Sequence, residues 1–97
     1  MLEDIRTMEE KLNRCRAAVD ALQTALDTFD AVQADLAALE AYYGSSAWFC
    51  HLEADARGEL PNDLCRGVLS QDALYDLLCD ADALRRRIVL DGEKEKT

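Results

Sequence analysis

A thiol beside an imidazole, Cys50-His51, is the pair in this chain most suggestive of covalent chemistry, and Glu53 and Asp55 follow close behind. A cysteine nucleophile needs its base turned toward it. On a helix, adjacent side chains diverge by about 100° and do not face each other. The helical reading therefore places Cys50 near the core and His51 outside, four residues from Asp55 as its expected partner. Zinc needs four ligands at familiar spacings. The chain has one histidine, and Cys15, Cys50, Cys65 and Cys79 include no CxxC pair. The run Glu53-x-Asp55-x-Arg57-Gly58 echoes the start of a calcium loop. Its fifth position is the cation Arg57, and its twelfth is Leu64 where a bidentate glutamate belongs. Asp72, Asp76 and Asp80 form an acidic stripe at i,i+4 spacing that reads as the wet face of a helix. There is no glycine-rich phosphate loop and no Ser-His-Asp set. The expectation is a protein that is not an enzyme and has no metal or cofactor.

The elements that position these residues are helical. Ile5, Met8, Leu12, Cys15, Val19, Leu22, Leu26 and Phe29 step by three and four, a heptad seam. Nine alanines between 17 and 41 favour helix. The steps then run through Val32, Leu36, Leu39 and Tyr43, so two steps of three fall together, a stammer. Asp27, Thr28 and Asp30 are poor helix formers at that place. One long helix from Leu2 to Tyr43 is predicted, kinked or broken within residues 27–34, with Gly44 ending it. Ser45 or Ser46 caps a short helix to about Arg57, with Trp48, Phe49, Leu52 and Ala56 as its apolar face and Gly58 closing it. Leu60-Pro61 forces an extended or turn geometry. Asn62 to Arg66 is read as one helical turn. Ser70 caps a last helix, Gln71 to Leu90, whose seam is Leu74, Leu77, Ala81, Leu84 and Ile88. Leu69 and Leu74 are placed as a hydrophobic staple. Gly92 caps that helix, and residues 93–97 are read as a disordered tail after a single domain, 1–92.

Composition sets the class. Ninety-seven residues with 49% hydrophobic content make a small globular domain, and 20 acidic residues against 11 basic ones give a net charge of −9. Phosphate affinity comes from clustered Lys and Arg, so nucleic acid is excluded as a partner, as are anionic membranes. Met1 to Leu12 is charged throughout and holds no signal-peptide core, and no segment is apolar over a bilayer's width. A cytoplasmic protein with buried, reduced thiols is expected. Between Arg16 and Arg57 there is no Lys or Arg, against seven acids. That run reads as ordinary solubility, with an acidic decoy for a basic nucleic-acid-binding protein as the alternative.

From Tyr42 to Leu78 the chain resembles a family of small bacterial proteins defined as a domain of unknown function, DUF4298. The resemblance rests on Tyr42-Tyr43, Trp48, Glu53-Ala54-Asp55, Gly58, Leu60-Pro61 and Leu64. It continues through Arg66-Gly67-Val68-Leu69-Ser70, Asp72 and Leu74-Tyr75-Asp76-Leu77-Leu78. His51 and Cys65 depart from the pattern, where an acid and a lysine are expected. The family carries no activity to transfer.

The reading is an all-α antiparallel helical bundle or hairpin: a long kinked N-terminal helix, a short aromatic helix and a C-terminal helix. Its expected role is a structural or protein-interaction module. The candidate interaction surface is Tyr42, Tyr43, Trp48, His51, Glu53, Asp55 and Arg66. Trp48 is also expected to be mostly buried against Val68-Leu69, closing the hairpin. A protein partner is expected, with a homodimer among the candidates, because the first helix outruns the last and leaves seam uncovered.

Overall fold

Isolated short helices are marginal in water, so elements of ten residues persist only where packing holds them. The computed structural model describes the backbone of residues 1–95 and side chains through residue 89. It is all-α, with α1 (Leu2–Ala31), α2 (Gln33–Tyr42), α3 (Ser46–Ala56), a 3-10 turn (Gly67–Leu69) and α4 (Gln71–Glu95). No strand occurs among the described residues. The chain forms two compact units, Met1–Ala34 and Asp35–Thr97.

The first unit is α1. Its sequence favours helix up to about residue 26, with Glu3 and Asp4 suited to the positive end of the dipole. Thr7, Thr24 and Thr28 each donate a hydroxyl to the carbonyl four residues earlier, a bond that tends to bend a helix. The break falls at Val32, inside the predicted interval. Val32 has φ −102 and ψ 7, and its N–H reaches Phe29 O at 3.2 Å, one residue short of the helical partner. The Gln33 side-chain amide also donates to Phe29 O at 3.0 Å. No residue of α1 is buried.

The second unit holds the buried apolar side chains Leu36, Trp48, Leu74 and Ala81. Tyr43, just past α2, has its ring 6.4 Å from that of Tyr75 in the first turns of α4. Leu36 of α2 and Ala81 of α4 are buried as well, and Leu39 of α2 lines a groove with Leu74 and Leu77 of α4. Their connection is set by short-range rules. Gly44 adopts φ +76, which ends α2, and the Ser45 hydroxyl accepts from Trp48 N–H at 3.1 Å, which starts α3. Gly58 N–H bonds Asp55 O and Glu59 N–H bonds Ala54 O, each at 3.0 Å, with Gly58 at φ +71, the Schellman pattern. The Ser70 hydroxyl accepts from Ala73 N–H at the start of α4.

Several expectations are corrected. Residues 62–66 form no helical turn; Pro61 to Leu64 close a tight turn instead, and the 3-10 turn comes later, at Gly67–Leu69. On α4 the seam is rotated. Leu74 and Ala81 are buried, Leu78 and Arg85 half-buried, while Leu77, Leu84 and Ile88 are exposed. On α3, Leu52 is half-buried with Ala54, and Phe49 and Ala56 face solvent. The four cysteine thiols are exposed, not buried. Helix α4 passes through Gly92 and continues to Glu95, and the last two positions of the expected tail, 96 and 97, lie outside the described residues.

Candidate functional site

Trp48 organises the second unit, and chemistry explains why it sits there. An indole carries one N–H, which needs a partner once buried. Trp48 is 3% exposed, and its Nε1–H donates to Val68 O at 2.9 Å, twenty residues on. The ring lies 4.9 Å from Tyr43 and 5.2 Å from Phe49, the latter edge-on. This is the predicted contact with the Val68-Leu69 segment, and it leaves the indole no open face.

The rest of the predicted surface falls into two bonded pairs. Tyr42 and His51 share a 2.7 Å hydrogen bond between the hydroxyl and Nδ1, with ring centroids 5.8 Å apart. His51 thus finds Tyr42 at the end of α2, not Asp55. Asp55 accepts from Arg66 Nη1 at 2.6 Å. Both side chains are partly exposed, so screening limits that pair to about 0.2–1 kcal/mol. Glu53 is exposed beside Arg57, which reaches it at 3.9 Å and grips Glu59 at 2.8 Å. Tyr42, Tyr43 and Asp55 are half-buried; His51, Glu53 and Arg66 are exposed. Cys50 faces solvent on α3.

Two features have no counterpart in the sequence reading. Tyr75 lies one turn before Cys79 on α4. A side-chain hydrogen bond to Cys79, reinforced by repulsion from the Cys79 thiolate, holds the Tyr75 phenol above its ordinary value; slight desolvation, Tyr43 and Asp76 add to the effect. The i,i+4 spacing of Tyr and Cys was the available signal. Second, Leu39, Cys65, Val68, Ala73, Leu74 and Leu77 line a shallow apolar groove in the second unit. Cys65 and Gly67 give no apolar period, so nothing in the pattern marks it.

In the first unit, the apolar seam of α1 is open. Ile5 is 54% exposed, Leu12 47% and Val19 66%, with Met8 and Leu22 equally bare; Leu26 and Phe29 are half-buried. Among the described residues there is no group of three His, Cys, Asp or Glu side chains able to hold a metal ion, and no helix long and apolar enough to cross a membrane.

Neither the curated proteins nor the solved structures provide a match to this chain. A family model does, described as Domain of unknown function (DUF4298), and it covers residues 5–89, so that both the aromatic connection and most of the two long helices fall within it. The chain therefore belongs to the DUF4298 family.

Proposed function

We propose that this protein is a small, non-catalytic helical module for protein interaction, cytoplasmic and bacterial, with the apolar seam of α1 as its contact face. The observation that carries the reading is the exposure of that seam. Ile5, Met8, Leu12, Val19 and Leu22 lie on one side of a helix that buries nothing. A helix with a sustained apolar stripe is stable in water chiefly when another surface covers it. The pairs in the second unit support a non-catalytic role. His51 is bonded to Tyr42 and Asp55 to Arg66, and neither lines the apolar groove of that unit.

The test is capture with the tagged full chain against Leu12→Asp. Leu12→Asp places a charge in the middle of the seam. It is expected to abolish a stoichiometric association that survives high salt while leaving helicity intact. Retention of that association by Leu12→Asp would refute the assignment of this face.

The acidic-decoy reading has one observation of its own: the absence of Lys and Arg between Arg16 and Arg57. It requires binding to a basic nucleic-acid enzyme that dissolves as salt rises, since exposed charges are screened beyond about 8 Å at physiological ionic strength.

A further inference from the structure

The interaction reading leaves open what covers the seam, and the charges beside it decide the question. Asp4 and Lys11 flank it on one side, Glu9 and Arg16 on the other. In a parallel pair of such helices, each flanking residue meets the partner's flanking residue five positions later. That would set Asp4 against Glu9 and Lys11 against Arg16, like charges at both places and twice by symmetry. An antiparallel pair brings residues of the same flank together, and three registers one heptad apart need comparison. With Ile5 opposite position 15, Glu9 meets Glu9 and Lys11 meets Lys11. With Ile5 opposite position 29, Arg16 meets Arg16. With Ile5 opposite position 22, Glu9 meets Arg16, Lys11 meets Ala18 and Asp4 meets Ala25. Only this last register has an attractive flanking pair and no repulsive one. It uses the stretch from Ile5 to Leu22, which is the exposed part of the seam; Leu26 and Phe29, half-buried already, stay outside it.

We propose that the α1 seam docks on the α1 seam of a second copy of this chain, antiparallel, with Glu9 of each copy against Arg16 of the other. The layers are Ile5 on Leu22, Met8 on Val19 and Leu12 on Cys15, each occurring twice because the contact is isologous. The proposal rests on the seam being an interaction face, and it names the occupant. The overlap spans about 27 Å of helix, roughly five turns. A contact of that length gives a monomer–dimer equilibrium sensitive to concentration.

Sedimentation equilibrium of the full chain across a range of concentrations is the first measurement, and a dimer is expected. Glu9→Arg alone turns both cross-pairs repulsive and is expected to raise the dissociation constant about tenfold. Glu9→Arg with Arg16→Glu reverses both charges and restores binding. A second test fixes direction. In a variant with Cys50, Cys65 and Cys79 changed to serine, Leu12→Cys sets a thiol opposite Cys15 of the second copy. Oxidation then joins position 12 to Cys15 between chains, and trypsin separates the two positions at Arg14. Links joining Cys15 only to Cys15 mean a parallel dimer and overturn the proposal. So does a dimer indifferent to the charge exchange. A strict monomer that still loses another protein on Leu12→Asp overturns the second copy but keeps the interaction face. A strict monomer whose associations ignore Leu12→Asp overturns both.

Discussion

Trp48 shows what one side chain can decide. Its indole is buried and its N–H is spent on Val68 O, so truncation removes both packing and a satisfied polar contact. Large-to-small changes of a buried aromatic cost about 3–5 kcal/mol, against a total of roughly 5–15 kcal/mol for a domain. Trp48→Ala is expected to lower the unfolding free energy measured in urea by that amount, and Trp48→Phe, which keeps an aromatic ring but loses the N–H, by less. Val68 O must then find water, at a cost of about 1–3 kcal/mol. Equal stability of the alanine variant and the native chain would contradict the clamp. The second residue with a measurable signature is Tyr75. Its phenol is raised by Cys79, so its folded value lies above its unfolded one. The sign follows: the stabilising contribution is whole below the ordinary phenol range and fades as pH climbs through the raised folded value. Cys79→Ala should lower the Tyr75 titration midpoint followed by carbon NMR of that ring. An unmoved midpoint would show that the thiol is not the cause.

At the scale of the element, the ends around α3 and the start of α4 obeyed local rules and were readable in advance, whereas Gly92 does not end α4. Ser45, Gly44, Gly58 and Ser70 all sit where capping chemistry wants them, because a cap depends on neighbours within three or four positions. The break near Val32 was readable for the same reason. What could not be read was which stripe of α4 is covered. Leu74, Leu77, Ala81 and Leu84 and the observed Leu74, Leu78, Ala81 and Arg85 share the same period. They differ by a rotation that tertiary packing sets. The Tyr42–His51 bond was missed because it crosses from α2 to α3, whereas the Asp55 alternative lay on the same helix. The caps lend themselves to a direct test. Gly44 has φ +76, and a methyl group there meets no atom within 4 Å. Gly44→Ala therefore reports backbone strain alone, and a loss of about 1–2 kcal/mol is expected from thermal unfolding. A neutral outcome would mean the joint between α2 and α3 relaxes into another turn.

For the molecule as a whole, charge is the governing quantity. Twenty acids against eleven bases leave −9 on 97 residues. The ion pairs Arg6–Glu3, Arg57–Glu53, Arg57–Glu59, Arg66–Asp55 and Arg85–Asp82 are exposed or partly so, and each contributes little. Net repulsion should therefore outweigh the loss of these pairs when ions are added. The melting temperature is expected to rise between low and moderate sodium chloride. A fall would show that the pairs, and not the surplus of acid, dominate.

The Trp48–Val68 bond also bears on how quickly the chain reaches its native state. Spatial neighbours in this protein are overwhelmingly neighbours along the chain, and proteins rich in local contacts fold in microseconds to milliseconds. Helical turns can grow within about a microsecond of one another. The ring closure that brings residue 48 to residue 68 joins points twenty residues apart, and its entropic cost grows only with the logarithm of that separation. The clamp that holds the second unit together is thus the natural place for its rate-limiting step. Substitutions at Trp48 should slow refolding, whereas a change at Gly44 should act mainly on unfolding.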